Sequence, residues 1–251
     1  VTRGARWALG LGLPLYLLVA ALTLPIDVER IAAGSDRART LFAGFLSPNP
    51  GPRWGEIVEG IQESLAITVV ATVIGVLLSV PLALGGARNL APRPVYLCCR
   101  GVLAVTRAFH EVIVAIFLVA MFGFGPFAGV VTLAIGTIGF VGKLLAEEIE
   151  GADRGQLEAI QATGASWAQL ILFAVRPQVL PRLLGLSLYR LDINFRESAV
   201  IGIVGAGGIG ITLMTAVSRY EYDVAAAILL IIIGIVLAVE YSSAALRRSV
   251  L

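Results

Sequence analysis

Runs of about twenty apolar residues recur along this chain, and they restrict its fold more than any other feature. A helix needs about 20 such residues to cross the hydrocarbon of a bilayer. Blocks of this kind occupy residues 64–86, 127–146, 183–204 and 224–245, and a fifth, 95–122, carries polar interruptions. A sixth, residues 7–24, follows Arg3 and Arg6. Its apolar part exceeds the roughly 7–15 residues of a secretory signal core, and no small-x-small cleavage motif follows closely. It reads as an uncleaved span. The chain is 14% charged, well under the roughly 25% usual in soluble domains, and its mean hydropathy is +0.90. The expected architecture is all-α and polytopic, with six transmembrane helices. Residues 1–55 supply the first span and an external connection, and residues 56–251 a core of five spans.

Short loops rich in Lys and Arg stay on the cytoplasmic side. With the N-terminus inside, eleven basic residues (among them Arg88, Arg93, Arg154 and Arg182) fall inside and five (Arg30, Arg37, Arg39, Arg53, Arg219) outside. Both termini are therefore expected in the cytoplasm. A net charge of +2, spread over loops, excludes a nucleic-acid partner. Cys98 and Cys99 are adjacent, a poor geometry for a disulfide, and no metal-ligand spacing surrounds them; both read as packing residues. In the external connection, residues 31–46 suit a short interfacial helix with Ile31, Leu41, Phe42 and Phe45 toward lipid, and "SPNPGPRWG" forbids regular structure.

Charges inside spans cost roughly 2.5–3.5 kcal/mol each on insertion scales, so they face a cavity or a partner. In the third span, "TRAFHEVIVAIF" places Arg107 and Glu111 four apart, on one helical face, with His110 beside them. In the fifth, "YRLDINFRESAVIGIVGAGGIG" allows Asp192 to pair with Arg196, while Arg190, Asn194 and Glu197 form an adjacent stripe. Two readings stand: ion pairs that specify helix packing, or a polar route across the membrane lined by Arg107, His110, Glu111, Arg190, Asn194, Arg196 and Glu197. Gly205, Gly207, Gly208 and Gly210 follow a membrane helix with no strand ahead, so they are no nucleotide fingerprint. They suit a turn that ends the span near an external gate, or simple loop flexibility.

Between the fourth and fifth spans the sequence turns polar, over about residues 147–181. Leu157, Ile160, Gln161 and Gly164 follow helical spacing, with Gly164 as a stop. Ser166 is a good N-cap for "WAQLILFAV", which Pro177 is expected to end. Two short helices kinked at Gly164 result, with Trp167, Leu170 and Ile171 exposed as a helix-in-groove ligand.

The stretch resembles the cytoplasmic loop of permease subunits of bacterial ATP-binding cassette importers, written E-A-A, three residues, G, nine residues, I-x-L-P. Glu158, Ala159, Gly164 and Pro177 match; Ile160, Ala174 and Arg176 depart from it. The resemblance implies coupling helices, with Glu158, Ala159, Gly164, Ala165, Trp167 and Pro177 at the joint with two separate ATPase subunits that hold ATP and magnesium. "RAFHEVIVAIFLVAMFGFGPFAG", "GKLLAEEIE" and "NFRESAVIGIVGAGGIG" look like the phosphonate-type branch, which shares the type I fold of methionine importers. That branch commonly has Ile-Pro where Phe109 and His110 stand, so a proline kink is absent here. The likeness implies a homodimer around a central path, an external binding protein, and a phosphonate, phosphite or phosphate ester as cargo. A methionine-type permease of the same fold is the alternative within transport, and a non-transporting scaffold or an intramembrane enzyme the alternative outside it. "GTIGFVGKLL" is no phosphate loop, because Gly136 and Gly142 have the wrong separation and no Ser or Thr follows Lys143. No catalytic set, metal site or cofactor of the chain's own is expected.

Overall fold

The computed structural model describes residues 12–19, 22–23 and 28–250, without the side chains of 28–33, 36–37 and 243–250. Of the expected first span, residues 7–24, only 12–19 and 22–23 are described; they are helical and exposed, and the rest lies outside the described residues. Two compact units are distinguished, Val1–Ala43 and Gly44–Leu251. Helix α1 (Val28–Leu46) contains the whole stretch expected to be helical at 31–46.

In the second unit a 3-10 turn, Gly51–Arg53, leads into α2 (Trp54–Gly85), α3 (Arg93–Ala108), α4 (Glu111–Phe122), α5 (Pro126–Glu150), α6 (Arg154–Ala162) and α7 (Trp167–Leu170). A π-helical turn, Ile171–Val175, then joins α7 to α8 (Arg176–Ile203), followed by α9 (Ile209–Ser218) and α10 (Tyr222–Val250). Among the described residues there is no strand. Four helical stretches are long and apolar enough to cross a membrane: Gly51–Gly85, Pro126–Glu150, Trp167–Ile203 and Tyr222–Ser242. The pair α3 and α4 makes a fifth if it counts as one span, bent by 90°. These five coincide with five of the six apolar blocks.

The most extensive helix packing joins α2 to α5. Apart from Ile57 and Ile67, the buried face of α2 is made of small residues, including Ser64, Thr68, Ala71, Thr72, Gly75 and Ser79, while Val69, Val73, Leu77 and Leu78 are exposed. Large apolar groups outside and small ones inside is the inverse of a water-soluble helix. It suits a lipid surround, where close backbone approach replaces hydrophobic exclusion as the packing force. Gly75 is the tightest point of this seam, since a Cβ there would fall inside the Thr137 side chain. The hydroxyls of Thr68, Thr72, Thr132 and Thr137 each donate to the carbonyl four residues back, so no donor is left bare.

The cysteines divide. Cys99 is half-buried against Gly85, whereas Cys98 is exposed, because successive helical residues point about 100° apart.

Arg53 donates to both oxygens of Glu221 and, through Nη1, to Glu56, which ties the start of α2 to the turn between α9 and α10. The guanidinium holds the Glu221 carboxyl below its ordinary range. A carboxyl lowered by folding stabilises the fold above its unfolded pKa, and the contribution disappears as pH falls through the lowered value. Glu221→Gln should therefore lower the thermal midpoint of the purified protein at pH 7, and the gap from wild type should close below about pH 4. A gap that persists unchanged in acid would show that the ion pair is not its source.

Candidate functional site

Arg190 on α8 is the centre of a polar cluster buried among apolar helices. It is only 3% exposed. Its Nη2 donates to Glu111 Oε1 at 3.3 Å and to Glu197 Oε2 at 3.1 Å, and its Nε to Thr137 Oγ1 at 3.2 Å. The guanidinium also lies over the Phe140 ring, 5.8 Å from its centroid. An unpaired buried guanidinium would cost several kcal/mol. Here two carboxylates face the charge and the Nε and Nη2 donors are engaged, and a cavity of about 290 Å³ opens beside the cluster, with Arg107, His110, Glu111 and Phe140 on its walls.

Glu111 reaches Arg190 because the chain breaks just ahead of it. Phe109 and His110 are extended (ψ 140° and 141°), and His110 caps α4 by accepting the Val112 N–H on Nδ1 at 3.3 Å. The expected shared face of Arg107 and Glu111 is thus corrected: they belong to different helices, and what they share is the wall of the cavity. The missing proline does not spare the bend, since an imidazole acceptor satisfies the freed amide and starts a new helix.

The approach also depends on Gly136 of α5. A Cβ there would lie 2.6 Å from Arg190 Nη2 and 2.9 Å from Glu111 Oε1. Neither Gly136 nor Thr137 belongs to the set anticipated from sequence. Their signal is faint, a glycine and a hydroxyl adjacent in an apolar run.

The other residues of α8 divide by depth. Asn194 is fully buried and donates from Nδ2 to Thr72 Oγ1 (2.8 Å) and Thr137 Oγ1 (3.0 Å), so it is linked to Arg190 through Thr137. Arg196 pairs with Asp192 at 2.9 Å, as the four-residue spacing suggests, and its side chain is 55% exposed. Asp192 Oδ1 and Asn194 Oδ1 are buried without a partner among the described residues.

At one end of the bundle lies the 154–170 segment. Asp153 caps α6 by accepting the Gly155 N–H at 2.7 Å, Glu158 and Ala159 are exposed, and Leu157 is buried. Gly164 has φ +79°, a left-handed value natural to glycine, and lies between α6 and α7 as expected. Ser166 and Gln169 form a capping box, and the Trp167 indole donates to the Leu90 carbonyl at 3.3 Å.

Two expectations for this segment are corrected. Leu170 is buried with Leu145, Ile149 and Val175, and Ile171 is half-buried; the exposed apolar groups are Trp167, Leu172 and Phe173. Pro177 does not end the helix either. It sits in the first turn of α8, where its missing N–H is harmless. The Arg176 N–H bonds the Ile171 carbonyl five residues back, and this widened turn admits the proline ring. Trp167–Ile203 is consequently one helical stretch of 37 residues, about 55 Å long.

At the opposite end of α2, Gly205, Gly207 and Gly208 take φ of +94°, +90° and +76° and turn the chain from α8 into α9. A Cβ at Gly205 would overlap the Phe124 ring, and one at Gly208 the Ser64 hydroxyl, which accepts the Ile209 N–H at 3.0 Å. Gly210 lies just inside α9, where a Cβ would meet the Ala199 carbonyl. The turn is thus packed against three neighbouring segments.

Several known proteins are similar to this chain. The family model described as the binding-protein-dependent transport system inner membrane component matches residues 75–251. The phosphate-import permease protein PhnE of Mycolicibacterium smegmatis is 41% identical over 208 residues, which are 82% of this chain and 39% of that protein. The chain thus spans well under half of that relative's length. The phosphite transport system permease protein PtxC of Stutzerimonas stutzeri is 38% identical over 224 residues, 89% of this chain and 81% of that protein. Among solved structures, an inward-facing MetNI methionine ABC transporter aligns with a TM-score of 0.69 at 22% identity, over 81% of this chain and 100% of the other. That likeness is one of fold.

Gly136→Ala should destabilise the purified protein by about 1–3 kcal/mol, the usual cost of overpacking. Gly101→Ala on α3, where the added methyl meets nothing within 4 Å, should not. Equal thermal midpoints for the two variants would show that Arg190 and Glu111 do not need the space over Gly136.

Proposed function

Because the chain belongs to the family of inner membrane components of binding-protein-dependent transport systems, we propose that it is the permease of an importer for a phosphorus oxyanion, driven by separate ATPase subunits. Relatives named for phosphate, phosphite and phosphonate transport support the cargo class, phosphonate, phosphite or phosphate ester. A methionine-type cargo has weaker support, the solved methionine transporter being 22% identical.

One observation carries the transport reading: the unbroken helical stretch Trp167–Ile203. It holds the exposed, capped segment at one end and Arg190, Arg196 and Glu197 in its second half, about 35 to 45 Å away. In this reading Glu158, Ala159, Gly164, Ala165 and Trp167 lie in the groove of an ATPase subunit on the cytoplasmic side, with both termini. A second copy of the chain completes the pathway. ATP and magnesium belong to the motor subunits, and an external binding protein delivers the anion near the Gly205–Gly210 turn. ATP-driven approach of the motors displaces α6 and α7, and α8 transmits that displacement to the charged cluster. Arg107, His110, Arg190 and Arg196 give the route its attraction for an anion, which Arg's planar fork suits. Glu111 and Glu197 hold Arg190 and limit the affinity, so cargo passes without being trapped; Asn194 fixes Arg190 through Thr137.

The chain assembled with its motor and binding-protein partners should hydrolyse ATP faster when methylphosphonate or phosphite is present, and methionine should have no effect. Stimulation by methionine alone would overturn the cargo class. Arg190→Lys and Arg196→Ala should each assemble yet lower uptake about 10- to 100-fold, the rate equivalent of one charged hydrogen bond. Normal uptake in both variants would remove the arginines from the pathway.

A further inference from the structure

The turn joining α2 to α3 ends two helices of the membrane bundle and lies against the 154–170 segment. Asn89 Nδ2 donates to the Ile149 carbonyl at 2.9 Å, and the Leu90 carbonyl accepts the Trp167 indole. Beside this turn is a cavity of about 460 Å³ lined by Arg88, Ala91, Arg93, Tyr96 and Leu97. Its walls include two guanidinium groups and no carboxylate.

The neighbouring acid is already engaged. Glu150 Oε1 accepts from Arg100 Nη2 at 3.0 Å and from the Arg88 backbone N–H at 2.8 Å. Arg100 lies over the Tyr96 ring, 5.6 Å from its centroid. Neither the Arg88 nor the Arg93 guanidinium has an ion pair or hydrogen bond among the described residues. Three guanidinium groups against one carboxylate leave two positive charges at the mouth of the cavity. The first turn of α3 adds the backbone N–H groups of Arg93 and Val95, Pro94 having none and the Tyr96 N–H being bonded to the Pro92 carbonyl. Leaving the cavity along α3, the surface turns apolar at once: Leu97, Val102 and Val105 are all exposed.

Charge at the end of a membrane helix, followed by exposed apolar side chains along the same helix, matches an amphiphile with an anionic head. We propose that this cavity binds the headgroup phosphate of an anionic phospholipid, with its acyl chains along the exposed flank of α3. A free oxyanion would use the arginines but leave the apolar flank without a role. Basic groups at helix ends recognise anionic headgroups in this way. The bound lipid would also brace the turn on which Trp167 leans, and so connect membrane composition to the coupling segment. The site requires only that α2 crosses the bilayer and α3 enters it; it does not depend on the cargo, so its failure would leave the transport reading intact.

Native mass spectrometry of the full chain in detergent, titrated with dioleoyl phosphatidylglycerol or dioleoyl phosphatidylcholine, tests this. The wild type should retain the anionic phosphatidylglycerol preferentially. The double variant Arg88→Gln with Arg93→Gln should lose that preference by roughly 30-fold, at about fivefold per arginine. Millimolar inorganic phosphate should not displace the lipid. Equal retention of the two lipids by the wild type, a reading that needs no variant, would overturn the proposal, as would undiminished binding in a folded double variant. Displacement by phosphate would make this a free-anion site. Loss of the lipid on assembly with the motor subunits would make it a protein contact. Either outcome would also overturn it.

Discussion

A guanidinium inside an apolar helix bundle can persist only if its charge and its donors are matched on the spot, and Arg190 imposes that demand on every helix around it. α5 must present a hydroxyl at Thr137 and no side chain at Gly136. α4 must begin where Glu111 can point inward, which forces the chain to break at Phe109 and His110. α8 must carry Glu197 two turns beyond Arg190, on the same face. The irregular features of the middle of the bundle are thus consequences of a single buried cation.

The same economy of space governs the seam between α2 and α5. Small residues on the inner face of α2 bring the two backbones together, and the hydroxyls among them satisfy their own helix. Thr72 and Thr137 then have lone pairs to spare for the Asn194 amide. Close packing and polar satisfaction are one arrangement, and it leaves the large side chains free for the lipid surround.

Much of this was legible in the sequence, for reasons that differ by element. The spans declared themselves because twenty consecutive apolar residues have few other uses, and five of the six blocks coincide with helices of the bundle. Gly164, Ser166 and the Asp192 to Arg196 pair follow from local rules, a left-handed cap, an N-cap and a four-residue spacing, which act within one turn. The errors arose where a distant partner overrides the local rule. Arg107 and Glu111 have helical spacing, yet Arg190, some eighty residues away, rewards a break between them. Pro177 is a stop signal in isolation, but a widened turn just ahead of it admits the ring. Leu170 looks like one more group for a partner until the core of Leu145 and Ile149 takes it. Gly136 entered only as part of a rejected phosphate loop, because absence of a side chain carries meaning only once its neighbours are known.

The five-residue turn at Ile171–Val175 has a geometric corollary. One residue of helical register corresponds to about 100° of azimuth and 1.5 Å of advance. The extra residue in this turn therefore sets the phase between Trp167 and every side chain beyond Arg176. Were it absorbed into ordinary α-helical pitch, Arg190 would swing by more than a quarter circle away from Glu111 while the far tip of the rod advanced only about 1.5 Å. The bulge is in effect a keyway: it fixes which side of the shaft looks inward, independently of how far the shaft is pushed.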